Sequence, residues 1–403
     1  MIPEIRKKFN SAWSEEKYKA VLHDLNTEFD FYIDFRIAET PIFIPMDLKL
    51  KILDAVDVIT SYLWTDEYKK ISLNAIPAGL EVPNDPGYPA MLALDFAVCK
   101  DMDGNFIPQL IELQGFSSLF FYELLQNKMY RRHFEIPSNF GGLFNIQEPV
   151  GYIEVLRDTV VGNLNPENVI LLEIDPDNQK TRIDFACCEK FIGVRPVCLT
   201  DVLKEGKDLF YIRDGKKTKI ERIYNRVIFD ELDRRSDLKF NFSFHDELNV
   251  EWLPHPNWFY RISKYSLPYL SRRDGYPKNK YVPETKFLSD FETIPADLES
   301  YVLKPLFSFA GVGVKYDVTK DIIDSIPHSD RHNYILQRKI NYEPIIETPD
   351  TPAKAEIRLL FVHKDKKPYL INNLVRLSKG KMMGVDFNKD KTWVGSSLAY
   401  FEY

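Results

Sequence analysis

The chain has 403 residues, of which 44% are hydrophobic and 28% are charged, proportions typical of a globular protein with two or three domains. Its net charge of −7 argues against a general nucleic-acid binder, because such proteins usually carry a basic face. The sequence contains no secretory signal, no membrane-length apolar run and no C-x-x-C pair, so we expect a cytoplasmic protein without membrane or nucleic-acid partners.

The first part of the chain predicts helices followed by a β-hairpin. Residues 1–70 are predicted to be mainly helical, because apolar residues recur at helical spacing between Asp47 and Trp64. The apolar stretches PAMLALDFAV and FIPQLIELQG flank Asp103-Gly104, which is a strong turn signal and predicts a hairpin. Helical spacing returns near Leu119 to Met129.

From about residue 151 the pattern alternates between helices and strands. A helix near Tyr152 to Val161 precedes the strand NVILLEI, and a helix from Arg182 to Phe191 precedes the strand VRPVCL. This βαβ order predicts an open parallel sheet. A hairpin at Asp214-Gly215 and the strand RIYNRVI complete the region.

The last part, from about residue 245, is predicted to be rich in strands. The stretch YVLKPLFSFAGVGVKYDV predicts a strand ending at Lys304, a loop with Gly311 and Gly313, and a second strand. A lysine inside an apolar run needs a negative partner, and a two-glycine loop brings backbone N–H groups close to an anion. Charged or polar residues recur on the following strands. On any single strand they are explained by a solvated edge, but their succession favours a polyanion site.

The order of these motifs resembles the nucleotide-binding half of ATP-grasp enzymes: K-P, a glycine loop, Y-I-L-Q, E-I-R and N-N-L-V-R-L-S. The resemblance implies that Lys304 contacts ATP phosphates, that Gly311 and Gly313 close over them, and that Arg358 faces the transferred phosphoryl group. Arg376 is a candidate for contact with an acyl phosphate or a substrate carboxylate. The residues implied to lie along the adenine are Gln337, Arg338, Lys339 and Ile340, although many family members have an acidic residue in place of Arg338.

The Mg²⁺ ligands of such a site are predicted in the N-terminal hairpin. An aspartate and an E-x-N motif usually follow the nucleotide strands, but after Asp386 this chain has no E-x-N. The hairpin instead offers Asp95, Glu112 and Gln114. Glu112 and Gln114 are two residues apart on a strand and therefore share a face, and oxygen ligands suit Mg²⁺.

In the circularly permuted ATP-grasp group, the strands that carry the metal ligands precede the strands that bind the nucleotide. The chain has this order and is similar to the synthetase domain of glutathionylspermidine synthetase. In that resemblance Arg226 is a substrate-side arginine, and Lys264 is a second lysine that contacts phosphate. Two positions depart from the family pattern: Ala93 stands where an arginine is usual, and Gln114 stands where an asparagine is usual.

The resemblance implies an α/β fold with α+β character, in which a permuted ATP-grasp fold follows an open α/β domain. We predict an N-terminal region with the hairpin at 1–150, the open domain at 151–244 and the nucleotide strands at 245–403. The implied activity uses ATP and Mg²⁺ to join a small-molecule carboxylate to an amine, or to a thiol, through an acyl phosphate with release of ADP. The alternatives are a nucleotide-binding protein without ligase activity and a phosphotransferase on the same scaffold.

Overall fold

A computed structural model describes residues 2–271, 280–308, 311–381, 383 and 388–403, so Asp386 lies outside the described residues. The helices are α1 (Pro3–Ala12), α2 (Glu15–Thr27), α3 (Met46–Leu63), α4 (Asp66–Ile71), α5 (Tyr122–His133), α6 (Pro149–Val160), α7 (Arg182–Ile192), α8 (Phe229–Arg234), α9 (Trp258–Arg261), α10 (Ser266–Ser271) and α11 (Lys320–Asp324). The strands are β1 (Ile42–Ile44), β2 (Met91–Lys100), β3 (Phe106–Gln114), β4 (Phe140–Gly141), β5 (Val169–Glu173), β6 (Arg195–Cys198), β7 (Leu203–Glu205), β8 (Asp208–Arg213), β9 (Lys216–Ile220), β10 (Arg222–Asn225), β11 (Glu251–Leu253), β12 (Thr285–Phe287), β13 (Tyr301–Pro305), β14 (Tyr334–Arg338), β15 (Lys354–Lys364), β16 (Lys367–Ser378), β17 (Gly395–Ser397) and β18 (Ala399–Glu402). The predicted helices are confirmed to within a few residues at their ends.

An antiparallel sheet with the order β17-β16-β15-β2-β3 brings the two halves of the chain together. The predicted hairpin of β2 and β3 is confirmed, and β15 pairs with the free edge of β2. The register sets Asp95 opposite Glu112 on one side and opposite Arg358 on the other. Because residues opposite each other in a sheet share a face, three predicted site residues lie in one row.

A second sheet has the order β11-β10-β5-β6, and all of its strands pair in parallel. The predicted βαβ pattern is therefore confirmed. One face buries Tyr152 of α6 and Ile183 of α7, and the other buries Ile170 and Ile223. The hairpin predicted at Asp214-Gly215 is also confirmed, since β8 pairs with β9 across that turn.

A small antiparallel sheet, with the order β12-β14-β13, carries Lys304 and Gln337. The second strand predicted between the glycine loop and Val318 is wrong, because the chain there makes a single bridge from Lys315 to Leu303 instead of a ladder. Two glycines with positive φ bend this stretch and prevent it from staying extended.

A further sheet, β1-β18-β4, joins an early strand to the end of the described chain, and β7, β8 and β9 form another antiparallel sheet. One apolar core contains Phe9, Tyr152, Tyr224 and Trp393, so residues from all three predicted regions pack together. The architecture is mixed α/β with several sheets, as expected, whereas the division at residues 150 and 244 stays a prediction. Among the described residues, no helix combines the length and apolar character needed to cross a membrane.

Candidate functional site

Asp95 and Arg358 form a buried ion pair near the centre of the large sheet. Arg358 Nε lies 2.7 Å from Asp95 Oδ1, and Arg358 Nη2 lies 2.6 Å from Oδ2. Their side chains are 1% and 11% exposed, so each charge depends on the other for compensation. Arg376 Nη2 adds a contact of 3.4 Å to the same Oδ2. The predicted metal-binding aspartate thus lies together with Arg358, predicted to face the phosphoryl group, and Arg376, predicted to contact an acyl phosphate or a substrate carboxylate.

Glu356 completes this network, and the sequence analysis did not predict it as a site residue. It is 3% exposed, forms an ion pair with Arg376, and accepts a hydrogen bond of 2.9 Å from the Tyr342 hydroxyl. Burial opposes the charge of Arg376, but Glu356 and Asp95 outweigh burial and raise the pKa of its guanidinium. The signal in the sequence was the spacing of Glu356 and Arg358, which puts both side chains on one face of β15.

Glu112 joins the hairpin to a lysine from a later part of the chain. Its Oε1 lies 3.2 Å from Lys264 Nζ, and the ammonium is buried while 27% of the Glu112 side chain remains exposed. Burial favours the neutral carboxyl, but Lys264 and then Lys304 lower the pKa of Glu112 below its ordinary value. Glu112 is therefore ionised and accessible, as a metal ligand requires.

Lys304 reaches from the small sheet to the end of β3. Its Nζ donates to Gln337 Oε1 at 2.6 Å and to the Ile111 carbonyl at 3.2 Å. Burial lowers the pKa of Lys304 to about 8; the charge of Glu112 opposes this change and the charge of Lys264 adds to it. Two neutral oxygens do not fully compensate the charge of a buried ammonium, so binding of an anion beside Lys304 would be favourable.

A cleft of about 290 Å³, open solvent included, lies beside these groups, and Glu112 and Lys264 line it. Lys264 Nζ donates to the Ser308 carbonyl at 2.6 Å across the cleft. The polar wall of the cleft includes Glu112, Gln114 and Lys264. Its remaining lining residues are Leu113, Phe116, Phe259, Ile262, Ser263, Leu306, Phe307 and Ser308. Polar groups that converge on an apolar cleft are the usual composition of a small-molecule site.

Gly115 lets the end of β3 approach the segment that carries Lys264. Its N–H donates to the Ile262 carbonyl at 2.8 Å, and an added Cβ would lie 2.5 Å from the Trp258 carbonyl oxygen. A larger residue would push apart Gln114 and Lys264, which face the same cleft. The sequence contained this glycine within L-Q-G-F, but the close contact depends on a distant part of the chain.

The residues predicted along the adenine separate in the structure. Gln337 is buried against Lys304, whereas Arg338 is 40% exposed and pairs with Asp297 at 2.6 Å. Lys339 Nζ lies 4.1 Å from the Tyr316 ring centroid. Ile340 is partly exposed beyond β14.

Gly311 and Gly313 both adopt positive φ, at 76° and 75°, a conformation that favours glycine. A Cβ on Gly313 would lie 3.0 Å from Pro305 Cγ, whereas one on Gly311 would meet no atom within 4 Å. The loop thus depends on both glycines for its backbone and on Gly313 for its packing.

Arg226 lies immediately after β10, behind the wall of the cleft. Its Nη1 donates to the Ser117 carbonyl at 2.8 Å, and its guanidinium carbon lies 5.1 Å from the centroid of the Phe116 ring. The residue is 5% exposed, and its Nε has no hydrogen-bond partner within the described part of the chain. Phe116 therefore separates Arg226 from the cleft.

The oxygen ligands predicted for Mg²⁺ lie on neighbouring strands, where Glu112 is opposite Asp95 and Gln114 is opposite Ala93. Within the described ranges, no group of three or more His, Cys, Asp and Glu side chains could hold a metal ion. Mg²⁺ is commonly held by one or two carboxylates with phosphate oxygens in the other positions. Two carboxylates and one amide fit that chemistry, and the metal site stays a prediction.

The comparisons with known proteins support a fold and leave the family open. No protein-family model and no curated protein matches the chain. Among solved structures, the chain is similar to a glutathione synthetase-like effector from Globodera pallida in its apo form, with a TM-score of 0.57 and 12% identity over 96% of each chain. At this identity the likeness shows a related fold alone, and the permuted ATP-grasp order stays a prediction.

Proposed function

We propose that the chain is an ATP-dependent, ADP-forming ligase that joins a carboxylate to an amine, or to a thiol, through an acyl phosphate. One observation carries this proposal. Asp95 and Glu112 of the early hairpin lie in the same row as Arg358 of a late strand, beside Lys264 and Lys304. Phosphoryl transfer requires charge neutralisation and positioning more than a protein nucleophile, and this arrangement provides both.

The chain's own residues have distinct roles in the proposed reaction. Lys264 and Lys304 bind phosphate oxygens of ATP, and Arg358 balances the negative charge of the transferred phosphoryl group. Arg376 contacts the acyl phosphate or the substrate carboxylate. The substrate carboxylate attacks the γ-phosphorus and ADP leaves. The amine then attacks the carbonyl carbon, and inorganic phosphate leaves as the nitrogen loses a proton. When bound at Asp95, Glu112 and Gln114, Mg²⁺ would neutralise phosphate charge.

The remaining predicted contacts follow from the resemblance. The backbone of residues 337–340 would border the adenine, and Gly311 and Gly313 would cover the phosphates. The Arg338 side chain is directed to Asp297, so a role for Arg338 rests on its backbone. Arg226 would meet the substrate once Phe116 moves. The glutathione synthetase-like neighbour supports the fold that such a ligase needs.

Nucleotide binding is the first test of the proposal. Isothermal titration calorimetry with ATP and Mg²⁺ is expected to show binding to the wild type and none to Lys304→Ala. Lys8→Ala is the control, because Lys8 is an exposed lysine on α1 that pairs with exposed Glu135. Equal affinity of Lys304→Ala and the wild type would show that the nucleotide site is wrong.

Ligase activity is the second test. ADP release is measured with ATP, Mg²⁺ and pools of carboxylates combined with pools of amines or thiols. Release that needs one member from each pool supports the ligase, whereas release with one pool and a stable phosphorylated product would identify a phosphotransferase.

A nucleotide-binding protein without ligase activity is the second candidate function. It is favoured by the bidentate pair in which Arg358 engages both oxygens of Asp95, and by glutamine at position 114. Mg²⁺ would have to share Asp95 with this arginine. Tight ATP binding that Mg²⁺ does not strengthen, without ADP release across the pools, would establish this candidate.

A further inference from the structure

Residues 115–121, which we call the connecting segment, join β3 to α5 and form part of the cleft wall. The Phe116 side chain lines the cleft, and Gly115 is hydrogen-bonded to the segment that carries Lys264. The connecting segment therefore ends at the proposed nucleotide site on one side. On its other side it meets the parallel sheet and its helices.

Asp184 of α7 holds the last part of the connecting segment. Its carboxylate accepts backbone hydrogen bonds from Leu119 at 3.0 Å and from Phe121 and Tyr122 at 2.8 Å each. Helix α5 has no capping side chain of its own, and its first N–H groups need acceptors. A fully buried carboxylate from another element supplies them, and its negative charge suits the start of a helix.

Two further side chains hold carbonyl groups of the same segment. The Tyr152 hydroxyl of α6 donates to the Phe120 carbonyl at 2.6 Å, and Arg226 donates to the Ser117 carbonyl at 2.8 Å. The three side chains come from α6, α7 and the residue after β10. From Ser117 to Phe121, the backbone of the connecting segment is thus held by side chains of the open α/β region.

The backbone at Leu119 shows that these contacts impose a conformation. Leu119 has φ of 71°, which leucine rarely adopts because its Cβ crowds the backbone. Such a conformation persists where surrounding contacts over-determine it. The Leu119 N–H is one of the three groups bound by Asp184, so the strained residue is held directly.

We propose that Asp184 and Tyr152 are positioning residues that hold the connecting segment as a wall of the nucleotide cleft. They touch neither nucleotide nor substrate and act through Phe116 and Gly115. The open α/β region thereby sets how tightly the cleft binds ATP. This inference rests on the proposed function, because it assigns the cleft to a nucleotide.

A matched pair of variants tests the proposal. Tyr152→Phe removes a hydroxyl bond to the connecting segment, whereas Tyr211→Phe removes a hydroxyl bond of 2.8 Å to the Glu167 carbonyl elsewhere in the same region. Both lose a hydrogen bond from the hydroxyl to a carbonyl, and Tyr211→Phe also loses a bond of 3.3 Å that Arg213 Nη1 donates to the hydroxyl, so Tyr211→Phe is expected to lose at least as much thermal stability as Tyr152→Phe. Calorimetry with ATP and Mg²⁺ is expected to show about fivefold weaker binding for Tyr152→Phe and wild-type binding for Tyr211→Phe.

Asp184→Asn and hydrogen exchange add a second measurement. The asparagine amide cannot accept all three backbone bonds, so binding is expected to weaken at least about tenfold. Exchange measured by mass spectrometry is expected to accelerate in peptides covering 115–121 for Tyr152→Phe and Asp184→Asn, but not for Tyr211→Phe. If Asp184→Asn fails to fold, the tyrosine pair decides the question.

The possible outcomes separate this inference from the proposed function. Wild-type ATP affinity in Tyr152→Phe, or equal weakening in both tyrosine variants, overturns the positioning role while the nucleotide site stands. Absence of ATP binding by the wild type overturns the proposed function and, with it, the role assigned to the connecting segment.

Discussion

ATP affinity is expected to fall at alkaline pH because Lys304 is buried beside the cleft. Burial lowers the pKa of its ammonium from 10.5 to about 8, with Glu112 opposing the change and Lys264 adding to it. A bound polyphosphate brings negative charge to the ammonium and raises its pKa again. Above about pH 8, binding of ATP must therefore be coupled to uptake of a proton by Lys304.

The size of the effect follows from the fraction of protein in which Lys304 is charged. With a pKa of about 8, that fraction is roughly nine-tenths near pH 7 and one-tenth near pH 9. If the bound state keeps the ordinary pKa of 10.5, the association constant falls about tenfold over this range, or ~1.4 kcal/mol. The phosphates of ATP are already ionised at these pH values and add no dependence of their own.

Isothermal titration calorimetry with ATP and Mg²⁺ at about pH 7, 8 and 9 measures this dependence. Buffers of different ionisation enthalpy reveal the proton taken up. Lys304→Arg is the control, because an arginine stays charged over this pH range. The affinity of this variant for ATP, whatever its absolute value, is expected not to change with pH. A flat wild-type profile, or an equally steep fall in the arginine variant, refutes the reasoning.

Three further variants test the packing and charges around the site. Gly115→Ala places a Cβ 2.5 Å from the Trp258 carbonyl oxygen and is expected to cost about 1–3 kcal/mol in urea unfolding. Gly151→Ala inside α6 is the control, because its Cβ would lie 3.3 Å from a side-chain methyl of Ile146 and not against backbone, so a smaller change is expected; equal losses would contradict the close approach at Gly115. Glu356→Gln removes a buried carboxylate from its pair with Arg376, whose side chain is 41% exposed, and is expected to cost about 1–2 kcal/mol, which an unchanged unfolding midpoint would disprove. Burial raises the pKa of the Glu173 carboxyl to about 8, and the charge of Arg226 offsets this only in part. The protonated carboxyl therefore contributes stability that is fully present below the unfolded pKa of 4.5 and is lost as the pH rises through 8. Glu173→Gln should therefore raise the melting temperature at pH 8 but not at pH 4.5, and a gain of the same size at both values would exclude this titration.

Much of the secondary structure was predictable because its signals are local. Asp103-Gly104 and Asp214-Gly215 fixed two hairpins, and alternating helices and strands fixed the parallel sheet. The stretch after Gly313 was mispredicted as a strand, because its apolar alternation does not show whether a partner strand is available. The structure offers one bridge to Leu303 and no ladder.

The candidate site was predictable in part, where residue type and alternation were sufficient. Asp95 and Arg358 were each selected on their own strands, but their pairing depends on the register of β2 against β15, which no local pattern encodes. Glu356 was missed because a charged residue at period two also fits a solvated edge. Gly115 was missed because its close contact is with a distant carbonyl group.

The charged groups of the cleft and of the strands beside it explain why an anion is the expected ligand. The carboxylates are Asp95, Glu112 and Glu356, and the cations are Arg358, Arg376, Lys264 and Lys304. Four ion pairs form between them, since Arg376 contacts both Glu356 and Asp95. Among the described residues, Lys304 is left with two neutral oxygens as its hydrogen-bond acceptors. Burying an ammonium without a carboxylate costs free energy, which is why its pKa falls. An arriving phosphate supplies the missing charge, so the same imbalance that weakens the isolated site provides a driving force for binding ATP.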